Sequence, residues 1–185
     1  MSEYTNFFAV KSSDAQEVQN RLNAAQIRSI VDADKTGYWF SPQFGRSGPY
    51  NWVVVSAPAN SGFENGIFFY QDQFEEIGYV FDTLIHFFQE EDMTRWTLKL
   101  KTGKTVIEKQ FTPAEEIAFT ENETALFSAC FDKGFRDIQP FLQPGKAADF
   151  LNAVGIPYME MNDQDKLPDQ LFGDRYALLA GEITD

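Results

Sequence analysis

One cysteine and one histidine are all that a chain of 185 residues offers of either type. With Cys130 alone no intrachain disulfide forms, which suits a reducing compartment. With His86 alone, two-histidine metal sites are excluded, the HExxH zinc helix and the facial triad among them. Positive charge is also scarce: 15 Lys and Arg stand against 28 Asp and Glu, a net charge of −13. That balance repels a phosphate backbone and an anionic membrane surface, so neither nucleic acid nor membrane is expected as a partner. Long apolar runs are missing as well. The densest stretch, Ile77 to Phe88, is interrupted by Asp82 and His86 and falls short of the roughly 20 residues a membrane helix requires. The opening residues MSEYTNFFAVKSSDAQ carry neither the basic nor the apolar region of a signal peptide. The expectation is a cytoplasmic protein.

Catalytic signatures are absent in the same way. No Gly-x-Ser-x-Gly elbow occurs, and Phe44 to Pro49 (FGRSGP) lacks the Gly-Lys-Ser/Thr triplet that opens a phosphate-binding helix. Asp32 to Gly37 begins like a calcium loop, but Gln43 stands at the twelfth position, where a bidentate Glu belongs. We read it as a hairpin turn. No cofactor and no metal are expected.

What the chain does have is rings. Aromatic residues make up 16%, with 19 Phe, and hydrophobic and charged fractions are those of a globular domain. The stretch Gln73 to Asp92 places Phe74, Ile77, Val80, Phe81, Leu84, Phe87 and Phe88 at spacings of three and four. That spacing predicts an amphipathic helix over 73–91 with a buried stripe and an acidic outer face.

Around it, Asn6 to Lys11 reads as a strand, Asp14 to Ala25 as a helix, and Ile27 to Ala33 and Tyr38 to Phe40 as strands. The β-branched run Trp52 to Ser56 reads as a strand buried on both faces, and Ile67 to Tyr70 as a short one. Arg95 to Phe111 alternates as an antiparallel hairpin about a Thr102-Gly103 turn, with Leu100 opposite Thr105 and Leu98 opposite Ile107. Thr112-Pro113-Ala114-Glu115 has the chemistry of a helix start. Further helices are expected over 121–131 and 146–154, the latter closed by Gly155 and followed by an edge strand at 156–161. Residues 22–27 and 151–156 share the pattern LNAxxI, a reused helix-to-strand corner. The fold class that results is α+β, a mainly antiparallel sheet packed against a central amphipathic helix and further helices. One domain over 1–185 is expected, with sub-lobes split near 72 or 112 as the alternative.

Two candidate sites emerge. On the outer face of the 73–91 helix lie Glu75, Glu76, Asp82, His86, Glu90 and Glu91. Asp82 and Glu90 sit one turn to either side of His86 there and would raise its pKa. The charge is also uneven: residues 1–72 carry seven acids and five bases, residues 73–185 carry 21 acids and ten bases. An exposed acidic helix in the acidic part points to a basic protein partner, with association steered by charge. The second candidate is a pocket lined by loops 41–50 and 57–66, with Arg46, Tyr50 and Trp39 as polar or stacking contacts for a small ligand or substrate. Cys130 lies in an apolar helical context and reads as structural. The leading reading is a non-enzymatic interaction or inhibitor module. By composition alone it has the look of bacterial immunity proteins that mask a basic toxin. The loop pocket, with ligand binding or catalysis, is the alternative, and self-association stays open.

Overall fold

The computed structural model describes residues 5–25, 39–40, 51–56, 71–89, 94–114 and 116–156. Six strands form one sheet: β1 (Thr5–Lys11), β2 (Trp39–Phe40), β3 (Trp52–Ser56), β4 (Thr83–Gln89), β5 (Trp96–Thr102) and β6 (Thr105–Phe111). They lie in the order β2-β3-β1-β4-β5-β6, and every neighbouring pair is antiparallel. The α+β class and the antiparallel sheet follow the sequence reading. Strands from both sides of residue 72 share this sheet.

Helices cover both faces. α1 (Ala15–Ala24) and α2 (Gln71–Val80) close over one face, where Val18, Leu22, Phe74, Ile77 and Phe81 meet Phe8, Val10, Val53 and Leu84. On the other face α3 (Glu121–Phe131), α4 (Phe135–Ile138) and α5 (Ala147–Ala153) pack on Phe7, Ile85, Phe87, Trp96, Leu98, Leu100 and Phe111. Burial of a large apolar side chain stabilises by about 1.5–3 kcal/mol, so these two cores hold the three layers together. β1 shows the division most plainly, since Phe7 and Phe8 are both buried yet belong to opposite cores.

The long helix over 73–91 is not what forms. α2 ends at Val80, and after Phe81 and Asp82 the chain enters β4, which lies between β1 and β5. The stripe Phe74, Ile77, Phe81 is buried as expected. Beyond it the apparent helical period arises from a strand buried on both faces. Leu84 serves one core while Ile85 and Phe87 serve the other, so no polar alternation marks the strand. Thr83, Ile85, Phe87 and Phe88 are the β-branched and aromatic residues that favour a pleated, buried position.

The hairpin is confirmed with a register two residues from that expected. Gly103 and Lys104 make the turn, pairing Leu100 with Ile107 and Leu98 with Lys109. Gly103 has φ +59°, which suits the first central position of a two-residue hairpin turn and costs a glycine little. Its N–H also donates to Asp82 O at 2.8 Å, docking the hairpin tip on the α2–β4 corner.

No helix starts at Thr112. Residues 113–114 form a turn, and α3 begins at Glu121. There Thr120 caps the helix: Glu123 N–H donates to Thr120 Oγ1 at 3.2 Å and Thr120 N–H donates to Glu123 Oε2 at 2.8 Å, the reciprocal capping box. The expected strands at 27–33 and 67–70 lie outside the described residues, as does all but Ile156 of the one expected at 156–161.

Candidate functional site

α2 presents its buried stripe inward and Glu75, Glu76 and Tyr79 outward, with Asp82 exposed just past its end. Tyr79 is 89% exposed, one turn from both carboxylates. A helix's last carbonyls are orphan acceptors that attract cations, and α2 has no basic residue of its own in its last turn. Two neighbours supply them. Arg21 on α1 donates to Val80 O and lies over the Phe81 ring, and Lys101 on β5 donates to Phe81 O at 2.9 Å. Lys99, on the same strand, lies over the Phe74 ring with Nζ 4.7 Å from its centroid.

This use of the lysines settles how the basic hairpin meets the acidic helix. Lys99 engages a ring of α2 and Lys101 the Phe81 carbonyl just past its end, and neither forms an ion pair with Glu75 or Glu76. Among the described residues, those two carboxylates have no cationic partner, although a basic hairpin lies directly behind the helix.

His86 departs from expectation in place and in charge. It lies on β4, directly opposite Phe8 on β1 and Lys99 on β5, on the face beneath α2. Its ring is largely buried and 4.8 Å from the Phe8 ring. Burial, and then the Lys99 charge, lower its pKa from 6.5 to about 4. The rise expected from Asp82 and Glu90 required a helix that is not there. His86 therefore does not belong to the outer acidic face. Glu90 and Glu91 lie outside the described residues, as do Arg46 and Tyr50 and the loops 41–50 and 57–66. Trp39 is in the short edge strand β2.

Cys130 is fully buried in the larger core. Burial pushes its thiol up to about 12. The Thr102 hydroxyl is close enough to ease that shift but makes no well-formed hydrogen bond, so burial decides. The thiolate is the nucleophile, and this site withholds it. Alkylation by iodoacetamide at pH 8 is expected to run at least roughly 1,000-fold slower in the native protein than in urea-unfolded protein, given an unfolded thiol near 8.5. Comparable rates in the two states would place Cys130 at the surface.

Two ion pairs missed by sequence reading tie the helical layer to the sheet. Lys11 Nζ meets Asp132 Oδ2 at 2.7 Å and donates to Cys130 O at 2.9 Å, closing the C-terminal end of α3. Lys109 Nζ meets Glu123 Oε1 at 2.7 Å and donates to Ala118 O at 3.1 Å. The hydrogen bond that the Glu123 carboxylate accepts from Lys109, and then the one from the Thr120 backbone N–H, hold that carboxyl below its usual range. No local signal marks either pair, because each partner comes from a distant segment.

Among the described residues, no group of three metal-ligating side chains gathers and no helix is long and apolar enough to cross a membrane. Compared with protein-family models, with curated proteins and with solved structures, the chain shows no match.

Proposed function

We propose that this protein is an interaction module, inhibitor-like in its action, that binds a basic protein partner through the outward face of α2. The observation that carries the reading is Tyr79, 89% exposed beside Glu75 and Glu76, with Asp82 at the end of the same helix. Tyrosine combines a large apolar ring with a polar tip and is enriched where binding energy concentrates. Acidic neighbours complement a basic partner, speed encounter and reject acidic competitors. The net charge of −13 acts in the same direction at longer range. The helix is rigidly presented, because Arg21 and Lys101 hold its C-terminal end and its stripe is in the core.

The test pairs the wild type with a triple variant, Glu75→Lys, Glu76→Lys and Tyr79→Ala. Exposed charges contribute little to folding, so the variant is expected to melt within about 1 kcal/mol of wild type. Both proteins serve as bait in host lysate. For any protein held by the wild type, both rate constants are then measured at several salt concentrations. Association is expected to slow at least about tenfold in the variant, and in wild type to fall between low and physiological salt. An association rate that ignores salt and the triple change would remove α2 as the binding face.

A further inference from the structure

We propose that the free edge of β6 is a self-association surface: a second copy of this chain pairs with it, antiparallel, about a two-fold axis at Ile107. β6 ends the strand order, with β5 on one side of it only. Thr102 and Thr105 flank the two-residue turn and so exchange the hairpin's terminal hydrogen bonds. Bonding then alternates along the strand: Thr105, Ile107 and Lys109 face β5, while Val106, Glu108 and Gln110 turn their N–H and C=O groups outward. Among the described residues no further backbone hydrogen bond reaches that side. Val106 is 46% exposed, and Glu108 and Gln110 are exposed beside it. Such an edge is a template for another strand.

Charge names the occupant. Of the charged residues between Trp96 and Phe111, Lys99 covers the Phe74 ring, Lys101 donates to Phe81 O and Lys109 meets Glu123. Lys104 and Glu108 are left, both exposed and in no ion pair among the described residues. They have opposite signs and sit on either side of Val106, so this edge complements a copy of itself run in reverse. The net charge of −13 opposes association at a distance. At physiological salt that repulsion is screened beyond about 8 Å.

Symmetry leaves few registers, because the two-fold axis sets one residue of the strand opposite itself. With Glu108 or Lys109 on the axis, like charges are directly opposed. With Gln110 there, the pairing runs out at Phe111, where β6 ends. With Thr105 or Val106 there, the turn residue Lys104 would have to supply ladder bonds. Ile107 on the axis avoids all of these. Val106 of each copy then faces Glu108 of the other, and their outward groups exchange N–H···O bonds on both sides of the axis. The two Ile107 side chains meet at the close pair between those bonds, about 4.5 Å apart at Cα. They extend the larger core, on which Ile107 already packs. Lys104 lies diagonally across from the second copy's Glu108, within reach of so long a side chain. The axis is perpendicular to the sheet, so both α2 helices emerge on the same side. The dimer stands whether or not α2 binds a partner, and its test uses none.

The overlap is short, so the dimer is expected to be weak, with a Kd of roughly 10–100 μM. Sedimentation equilibrium at physiological salt, over about 5–500 μM protein, measures it. Lys104→Glu is expected to weaken the dimer at least about tenfold, and adding Glu108→Lys to restore it to within about threefold. Both positions are exposed, so thermal melts of the variants are expected to match wild type. Under oxidation Ile107→Cys is expected to yield a disulfide-linked dimer, while Cys130 stays buried. Thr105→Cys, roughly 14 Å from its own copy in this register, is expected to yield none. A monomer throughout that concentration range would overturn the proposal. So would a dimer that ignores Lys104→Glu, or one that the double variant fails to restore. Crosslinking of Thr105→Cys in preference to Ile107→Cys would remove the axis from Ile107.

Discussion

Trp96→Ala is expected to lower the free energy of unfolding by about 3–5 kcal/mol, the range for truncating a buried Trp or Phe. The residue is 1% exposed and joins four parts of the molecule. Its ring stacks on Phe111 of β6 at 3.8 Å, meets Phe150 of α5 at 5.3 Å and Phe87 of β4 at 5.9 Å. Its Nε1–H donates to Gln143 O at 3.0 Å, in the segment leading into α5. Truncation thus leaves a cavity between the sheet and α5 and strands a carbonyl that has lost its donor. Domains of this size hold only about 5–15 kcal/mol in total, so the variant is expected to be marginal, with Tm lower by about 10–15 °C at 2–4 °C per kcal/mol. Trp96→Phe keeps most of the ring and loses the Gln143 bond, for an expected cost of about 1–2 kcal/mol. Urea melts followed by far-ultraviolet circular dichroism measure both. A loss below about 1 kcal/mol for the alanine variant would show that α5 does not pack on this part of the sheet.

Trp96 also shows which kind of information the sequence carries. Trp96, Leu98 and Leu100 alternate with Thr97, Lys99 and Lys101, and period-two alternation has one structural meaning where one face is more buried than the other. The inward set was therefore legible. Its turn was not placed correctly, since both Thr102-Gly103 and Gly103-Lys104 preserve the same alternation. A shift of two residues leaves every side chain on its own face. What selects between them is Gly103 at φ +59° and its bond to Asp82 O, and the second of these is a contact between distant parts of the chain.

The α2–β4 segment failed for the complementary reason. A strand covered on both faces shows no alternation, and Leu84, Phe87 and Phe88 of β4 continue the helical period of α2 by accident of spacing. The composition of 83–88, threonine, isoleucine and two phenylalanines among six residues, was the signal available for a strand. Of the candidate acidic face, Glu75, Glu76 and Asp82 are exposed together at α2, while His86 moved to a different layer with the change of element. The cations that hold α2, Arg21 and Lys101, had no local mark in the sequence, because capping by a neighbouring element leaves no trace within the capped helix. Likewise Thr112-Pro113 carried the residues of a helix start without the helix, while Thr120 with Glu123 supplied the functioning capping box.

Phe8→Ala is expected to cost about 3–5 kcal/mol and, unlike other core truncations, to be audible at the single histidine. Phe8 is fully buried on β1, between the His86 ring at 4.8 Å and Phe74 at 6.4 Å. Removing it opens the patch under α2 and admits water to the imidazole. Since burial is the larger cause of the lowered pKa, the value is expected to climb from about 4 toward 6.5. Part of the pH dependence of stability disappears with that rise, because folded and unfolded states then bind the proton more equally. Phe7→Ala is the control. Phe7 is the adjacent residue, 1% exposed, and stacks on Phe87 at 5.0 Å in the opposite core. Its truncation is expected to cost a similar amount in urea melts while leaving the histidine titration where it was. Equal shifts of the imidazole in the two variants would mean that Phe7 and Phe8 do not serve separate layers, and the division of the molecule into two cores about β1 would be wrong.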